Sequence, residues 1–153
     1  MSLEKNKAII RRLVEAFNRH NPALLDEFIA TDFVDGRDTP SELRGLENFK
    51  KFEATFNRGF PDVQETIEDI IAEGDRVWVI EKVTGTHAGK WSFLGMIFAP
   101  TGKRISFTAV WIYRIVDGKI VERKSVTDML FFLQQLGIIE LTEKGRELFP
   151  EDV

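Results

Sequence analysis

The chain has 153 residues, 43% of them apolar, with 21 basic and 25 acidic side chains and a formal net charge of −4. One domain of this length buries a full core unaided, and mild acidity without any Lys/Arg block argues against nucleic acid and anionic membranes as partners. With no cysteine, disulfides, thiol nucleophiles and zinc–thiolate sites are excluded; no apolar run approaches the roughly 18 residues of a membrane span, and the charged start MSLEKNKAII is unlike a secretory signal, so a cytoplasmic location is expected.

The first periodic segment, KNKAIIRRLVEAFNRH, repeats Ile9, Ile10, Leu13, Val14 and Phe17 at helical spacing. Asn21-Pro22 has the form of an N-cap with proline at the first helical position, opening a short helix with Leu24, Leu25 and Phe28. TDFVDGRDTPSELRG reads as a loop from its turn-forming residues. LENFKKFEATFNRGFP is a third helix, with Leu46, Phe49, Phe52 and Phe56 on one side and Gly59 and Pro61 as its stop.

From Asp62 the period changes to that of strands. A hairpin is expected at Glu73-Gly74-Asp75, a turn around Pro100-Thr101-Gly102, and a final hairpin at Asp117-Gly118. MLFFLQQLG then returns to a helical pattern, and one more short helix begins near Thr142. Helices followed by a strand meander, without repeat or linker, make a single α+β domain over residues 1–153, its helices on one face of a curved sheet.

A two-residue Asp117-Gly118 loop sets a register in which Tyr113 lies opposite Glu122, Trp111 opposite Lys124 and Phe107 opposite Asp128. That face is aromatic yet holds three ionisable groups, which are costly in a core unless paired and persist at pockets. The alternative is a sheet edge, with the Lys124 stem laid over Trp111 and its amine in water; a bulge would reverse every residue beyond it. His87 alternates with Glu81 along EKVTGTH, so both face one side, as a proton shuttle or as a histidine bonded at a strand end. Trp78, Trp91 and the 13 phenylalanines read first as core. GTHAGKW lacks the spacing of a phosphate loop. Asp32, Asp35 and Asp38 lack that of a calcium loop and read as a solvated turn.

Taken in order, EAFNRHNPALLDEFIATDFVD, GLENFKKFEATFNRGFPD, IEDIIAEGDRVWVIEKVTGTHAG, SFLGMIFAPTGKRISF, YRIVDGKIVE and LQQLG resemble the SnoaL-like polyketide cyclase family of the nuclear transport factor 2-like superfamily, over about residues 4–137. The resemblance implies a cystatin-like cone, with N-terminal helices packed in a strongly curved antiparallel or mixed sheet around one apolar pocket, and a homodimer. Residues 138–153 are an extension. It also implies intramolecular aldol ring closure by a carboxylate acid/base, with no cofactor and no metal, on a hydrophobic small molecule. Asp128 is the candidate base, with Ser125 the other last-strand position that matches an acidic column of relatives. His87 and Lys124 would orient substrate oxygens. Trp111, Tyr113, Glu122, Phe107 and Trp91 would line the pocket. Arg123-Lys124 stand where relatives commonly have His-Trp, and Gly36 where a histidine is common. A non-enzymatic binding protein and a dimeric scaffold are the competing readings.

Overall fold

The computed structural model describes residues 2–36 and 42–148, so the expected turn at Asp38 lies outside the described residues. Helix α1 (Leu3–Asn18) opens on Ser2, whose side chain accepts from the Lys5 backbone N–H, and buries Ile10, Leu13, Val14 and Phe17. The proline-led segment Pro22–Glu27 is a tight 3₁₀ helix, with Asn21 accepting from the Ala23 backbone N–H. Helix α2 (Leu46–Gly59) buries Leu46, Phe49 and Glu53.

The segment read as a loop is corrected by the structure. Ile29–Gly36 forms strand β1, paired antiparallel with the short β2 (Leu43–Arg44) and parallel with the last strand. Turn-forming residues were outweighed by a buried partner: Asp35 has no exposed surface. The remaining strands are β3 (Gln64–Glu73), β4 (Arg76–Thr86), the small hairpin β5 (Trp91–Phe93) and β6 (Met96–Phe98), β7 (Arg104–Val116) and β8 (Lys119–Thr127). Six of them make one mixed sheet in the order β2-β1-β8-β7-β4-β3, while β5 and β6 pair separately. The expected α+β sheet of four long strands is therefore present, with two more added at its β1 end. Helix α3 (Met129–Gln135) and helix α4 (Glu143–Leu148) follow.

The register of the final hairpin is a second correction. Val116 pairs with Lys119 and Ile115 with Ile120, but Arg114 pairs with Glu122. Val121 is thus an extra residue on β8, and a bulge of one residue exchanges the two faces of everything beyond it. Tyr113 now pairs with Arg123, Trp111 with Ser125 and Ala109 with Thr127. Arg123, Ser125 and Thr127 share the inner face, and Glu122 and Lys124 share the outer one.

The bulge carries Arg123 into the core, where it meets the strand that composition concealed. Its Nε and Nη2 donate to Asp35 Oδ1 and Oδ2 at 2.8 and 2.9 Å. The guanidinium lies 4.6 Å from the Phe49 ring centroid and 4.4 Å from that of Trp111, a planar cation between aromatic faces. Removing one partner of such a pair strands the other charge in low dielectric. Asp35→Asn is expected to destabilise the protein by about 3 kcal/mol in denaturant titrations. Breaking the outer-face Arg114–Glu122 pair, 3.2 Å apart, with Glu122→Gln should remove less than about 1 kcal/mol.

Candidate active site

Between α2, the β5–β6 hairpin, α3 and the inner face of the sheet lies a cavity of about 140 Å³. Helix α2 supplies Phe52, Glu53 and Phe56 to its wall, and β5 supplies Trp91 and Phe93. The sheet adds Glu65, Val83, Phe107, Trp111, Arg123, Ser125 and Thr127, and α3 adds Met129 and Phe132.

Trp91 anchors the aromatic end. It packs edge-on against Phe56, Phe60 and Phe132 and stacks on Phe93 at 5.0 Å between ring centroids. The chain reaches that position because α2 ends in Gly59, whose added Cβ would lie 2.6 Å from that of Trp91. The Gly59 carbonyl accepts from the backbone N–H groups of Ala88 and Gly89, 3.0 Å each, tying the loop before β5 to the helix end. Trp91, Phe107 and Trp111 are therefore all cavity-wall residues.

The other sequence candidates fall elsewhere. Lys124 is exposed, 3.5 Å from Glu122 on the outer face. Glu122 is bonded there to Arg114. Asp128 is exposed and caps α3, its Oδ1 accepting from the Phe131 backbone N–H at 2.9 Å; Ser125 is the last-strand alternative that borders the cavity. Tyr113 faces inward but is buried in the core beside Arg123 rather than on the wall. His87 is fully buried behind Trp91, stacked on Phe60 at 5.1 Å with its Nδ1 3.1 Å from Thr101 Oγ1. Burial lowers its pKa, which keeps the ring neutral.

The ionisable groups that do meet at the cavity are Glu65, Glu53 and Arg123, with Glu81 immediately behind. Alternation along β3 places Val63, Glu65 and Ile67 on one face, a signal legible in VQETI. Glu53 falls one helical turn after Phe49 on the apolar stripe of α2. Asn18, the last residue of α1, fixes Glu65 in place: its Nδ2 donates to the Glu65 carbonyl and its Oδ1 accepts from the Glu65 N–H, both at 2.8 Å. These bonds satisfy the free edge of β3.

Burial is the main cause that raises the Glu65 carboxyl to about 8, reinforced by the charge of Glu81 and opposed by Arg123. Burial likewise raises Glu81 to about 7, with Arg123 the largest opposing influence. Both groups hold protons in the folded chain that an exposed glutamate, with a pKa of 4.5, releases. The folded state therefore binds more protons than the unfolded state across that window, and stability falls as pH rises. Thermal unfolding followed from about pH 5 to about pH 8 should show a melting temperature that declines with pH. Glu81→Gln should flatten the dependence.

Comparison with known proteins adds relatives to this geometry. The chain is 32% identical over 133 residues to aklanonic acid methyl ester cyclase DnrD of Streptomyces peucetius, covering 84% of this chain and 88% of that one. It is 29% identical over 128 residues to nogalonic acid methyl ester cyclase of Streptomyces nogalater, covering 82% and 92%. AclR of Streptomyces galilaeus, a candidate hydroxylase, superposes with a TM-score of 0.76 at 33% identity, covering 91% of this chain and all of that one. The profile of SnoaL-like polyketide cyclases matches residues 7–136, and the chain belongs to that family.

Proposed function

We propose that this protein closes a ring in an apolar, carbonyl-bearing small molecule by acid–base catalysis, with Glu65 as the base. The observation that carries this reading is a carboxyl of raised pKa on an aromatic cavity wall beside a buried guanidinium. Glu65 removes a proton from a carbon acidified by neighbouring carbonyls. The enolate carbon attacks a second carbonyl of the same molecule, and Glu65 returns the proton to the new alkoxide. The reaction is an isomerisation, so atoms balance without a co-reactant. Asp35 takes two bonds from Arg123, and the guanidinium's positive charge at the cavity wall favours enolate oxygen, in a site where fixed charge acts strongly. The aromatic rings hold the flexible substrate folded for intramolecular attack.

The size of the cavity refines the substrate. About 140 Å³ is close to the roughly 150 Å³ that holds one benzene ring in an engineered cavity. A polycyclic substrate would place its reacting ring inside and extend the remainder through the mouth. The two relatives named as cyclases act on methyl esters of aklanonic and nogalonic acid, and both compounds serve as probes. Glu65→Gln should lower turnover of an accepted ester by about 10²–10⁴-fold while ligand affinity persists. Asp128→Asn should leave turnover near that of the native protein. Native turnover should rise with pH as Glu65 ionises through about 8. An active Glu65→Gln enzyme would contradict the assignment.

We also propose that the outer face of the sheet pairs with a second copy of the chain. Trp78 lies opposite Ile112, and Ile80 opposite Val110, which in turn lies opposite Val126. Trp78 is 45% and Val126 57% exposed, so the apolar strip crosses three strands and meets solvent in a lone chain. Sedimentation at micromolar concentration should give twice the 17.6 kDa of one chain, and Trp78→Glu should return it to a single copy.

A further inference from the structure

Two carboxylates from neighbouring strands meet on the inner wall. Glu65 on β3 lies opposite Val83, and Glu81 on β4 lies opposite Ile67, so both point to the same face. Glu65 borders the cavity, whereas Glu81 has no exposed surface and neither of its oxygens receives a hydrogen bond. An ionised carboxylate in that position is among the costliest groups a core can hold.

The groups around it do not remove that cost. Arg123 of β8 is the nearby cation, but its strongest bonds go to Asp35 of β1. Glu53 of α2 adds negative charge. From β7, the Trp111 indole N–H favours the ionised form of Glu81 but is outweighed by burial, and Tyr113 lies buried close by. Asn18 of α1 is engaged by the Glu65 backbone. If Asp35, Glu53, Glu65 and Glu81 were all ionised, four negative charges would surround a single guanidinium. Glu65 and Glu81 are close enough to influence one another's titration, yet two carboxylates are both acceptors, and only a proton can join them.

We propose that Glu65 and Glu81 hold one proton between them and work as a coupled pair. One carboxyl of the two is then ionised and accepts a hydrogen bond from the other, and Glu65 is the member that faces the substrate. This rests on the assignment of Glu65 as base. Glu81 acts through Glu65 and is a positioning residue: with one proton shared, the site avoids carrying both charges, and the pair loses its protons in two linked steps. In the cycle, the substrate proton passes to Glu65 and back to the alkoxide, while the shared proton stays within the pair.

The test is an NMR pH titration of the full-length protein carrying ¹³C-labelled glutamate side-chain carboxyls, without substrate, with Glu65→Gln and Glu81→Gln providing assignments. In the native protein both resonances should titrate in two linked steps around neutrality. In Glu81→Gln the Glu65 resonance should show one step, at least about one pH unit below the upper native step. Glu65→Gln should simplify the Glu81 curve in the same way. Independent one-step curves, or a Glu65 curve unmoved by Glu81→Gln, would overturn the pair. Because no substrate is used, linked titration in a protein that fails to turn over any ester removes the cyclase assignment alone. An active enzyme with unlinked titrations removes the pair alone.

Discussion

A guanidinium taken out of water organises this molecule. Arg123 is 4% exposed, and a cation so placed survives only with a counter-charge in good geometry and with its remaining surface covered. Asp35 supplies the first through two parallel bonds, and Phe49 and Trp111 supply the second. Three elements are thereby tied to β8: β1 through the carboxylate, α2 through Phe49 and β7 through Trp111. Breaking the pair would loosen the sheet at the parallel β1–β8 junction and open the cavity where α2 meets the strands.

The same cation sets the chemistry. Its charge is half-neutralised by design of the fold, since Asp35 takes one side and the carboxylates of the cavity share its residual field. Glu65 and Glu81 are left with enough desolvation to stay basic and enough positive potential to ionise near neutrality. Aromatic packing around Trp91 excludes water from the opposite end, which strengthens each of these interactions. Stability and the proposed chemistry thus pull in opposite directions: the glutamates assigned to it are buried groups whose ionisation weakens the fold as pH rises.

Much of this was legible in the chain. The apolar stripes of α1 and α2, the Gly74-Asp75 and Asp117-Gly118 turns and the long β7 and β8 strands follow from local spacing, and the order of segments carried the family resemblance. Glu65 was also within reach, because it alternates with Val63 and Ile67. Two features were not. Strand β1 is written in residues that favour turns, and its reason for being a strand, Arg123, lies 88 positions away. The Val121 bulge depends on how β8 lies between β1 and β7, which alternation along one strand cannot express. That single residue puts Glu122 and Lys124 on the outer face of the sheet and turns Arg123 and Ser125 toward the cavity.

The central claim is that Glu65 takes a proton from carbon inside this cavity, and isotope exchange reads that step without requiring ring closure. Nogalonic or aklanonic acid methyl ester incubated with the protein in deuterium oxide, then followed by mass spectrometry, should gain deuterium at its acidic carbon faster than in buffer. Glu65→Gln should return the rate to background, and Asp128→Asn should leave it unchanged. Exchange that persists in Glu65→Gln and vanishes in Asp128→Asn would contradict the account and return the base to the end of the last strand.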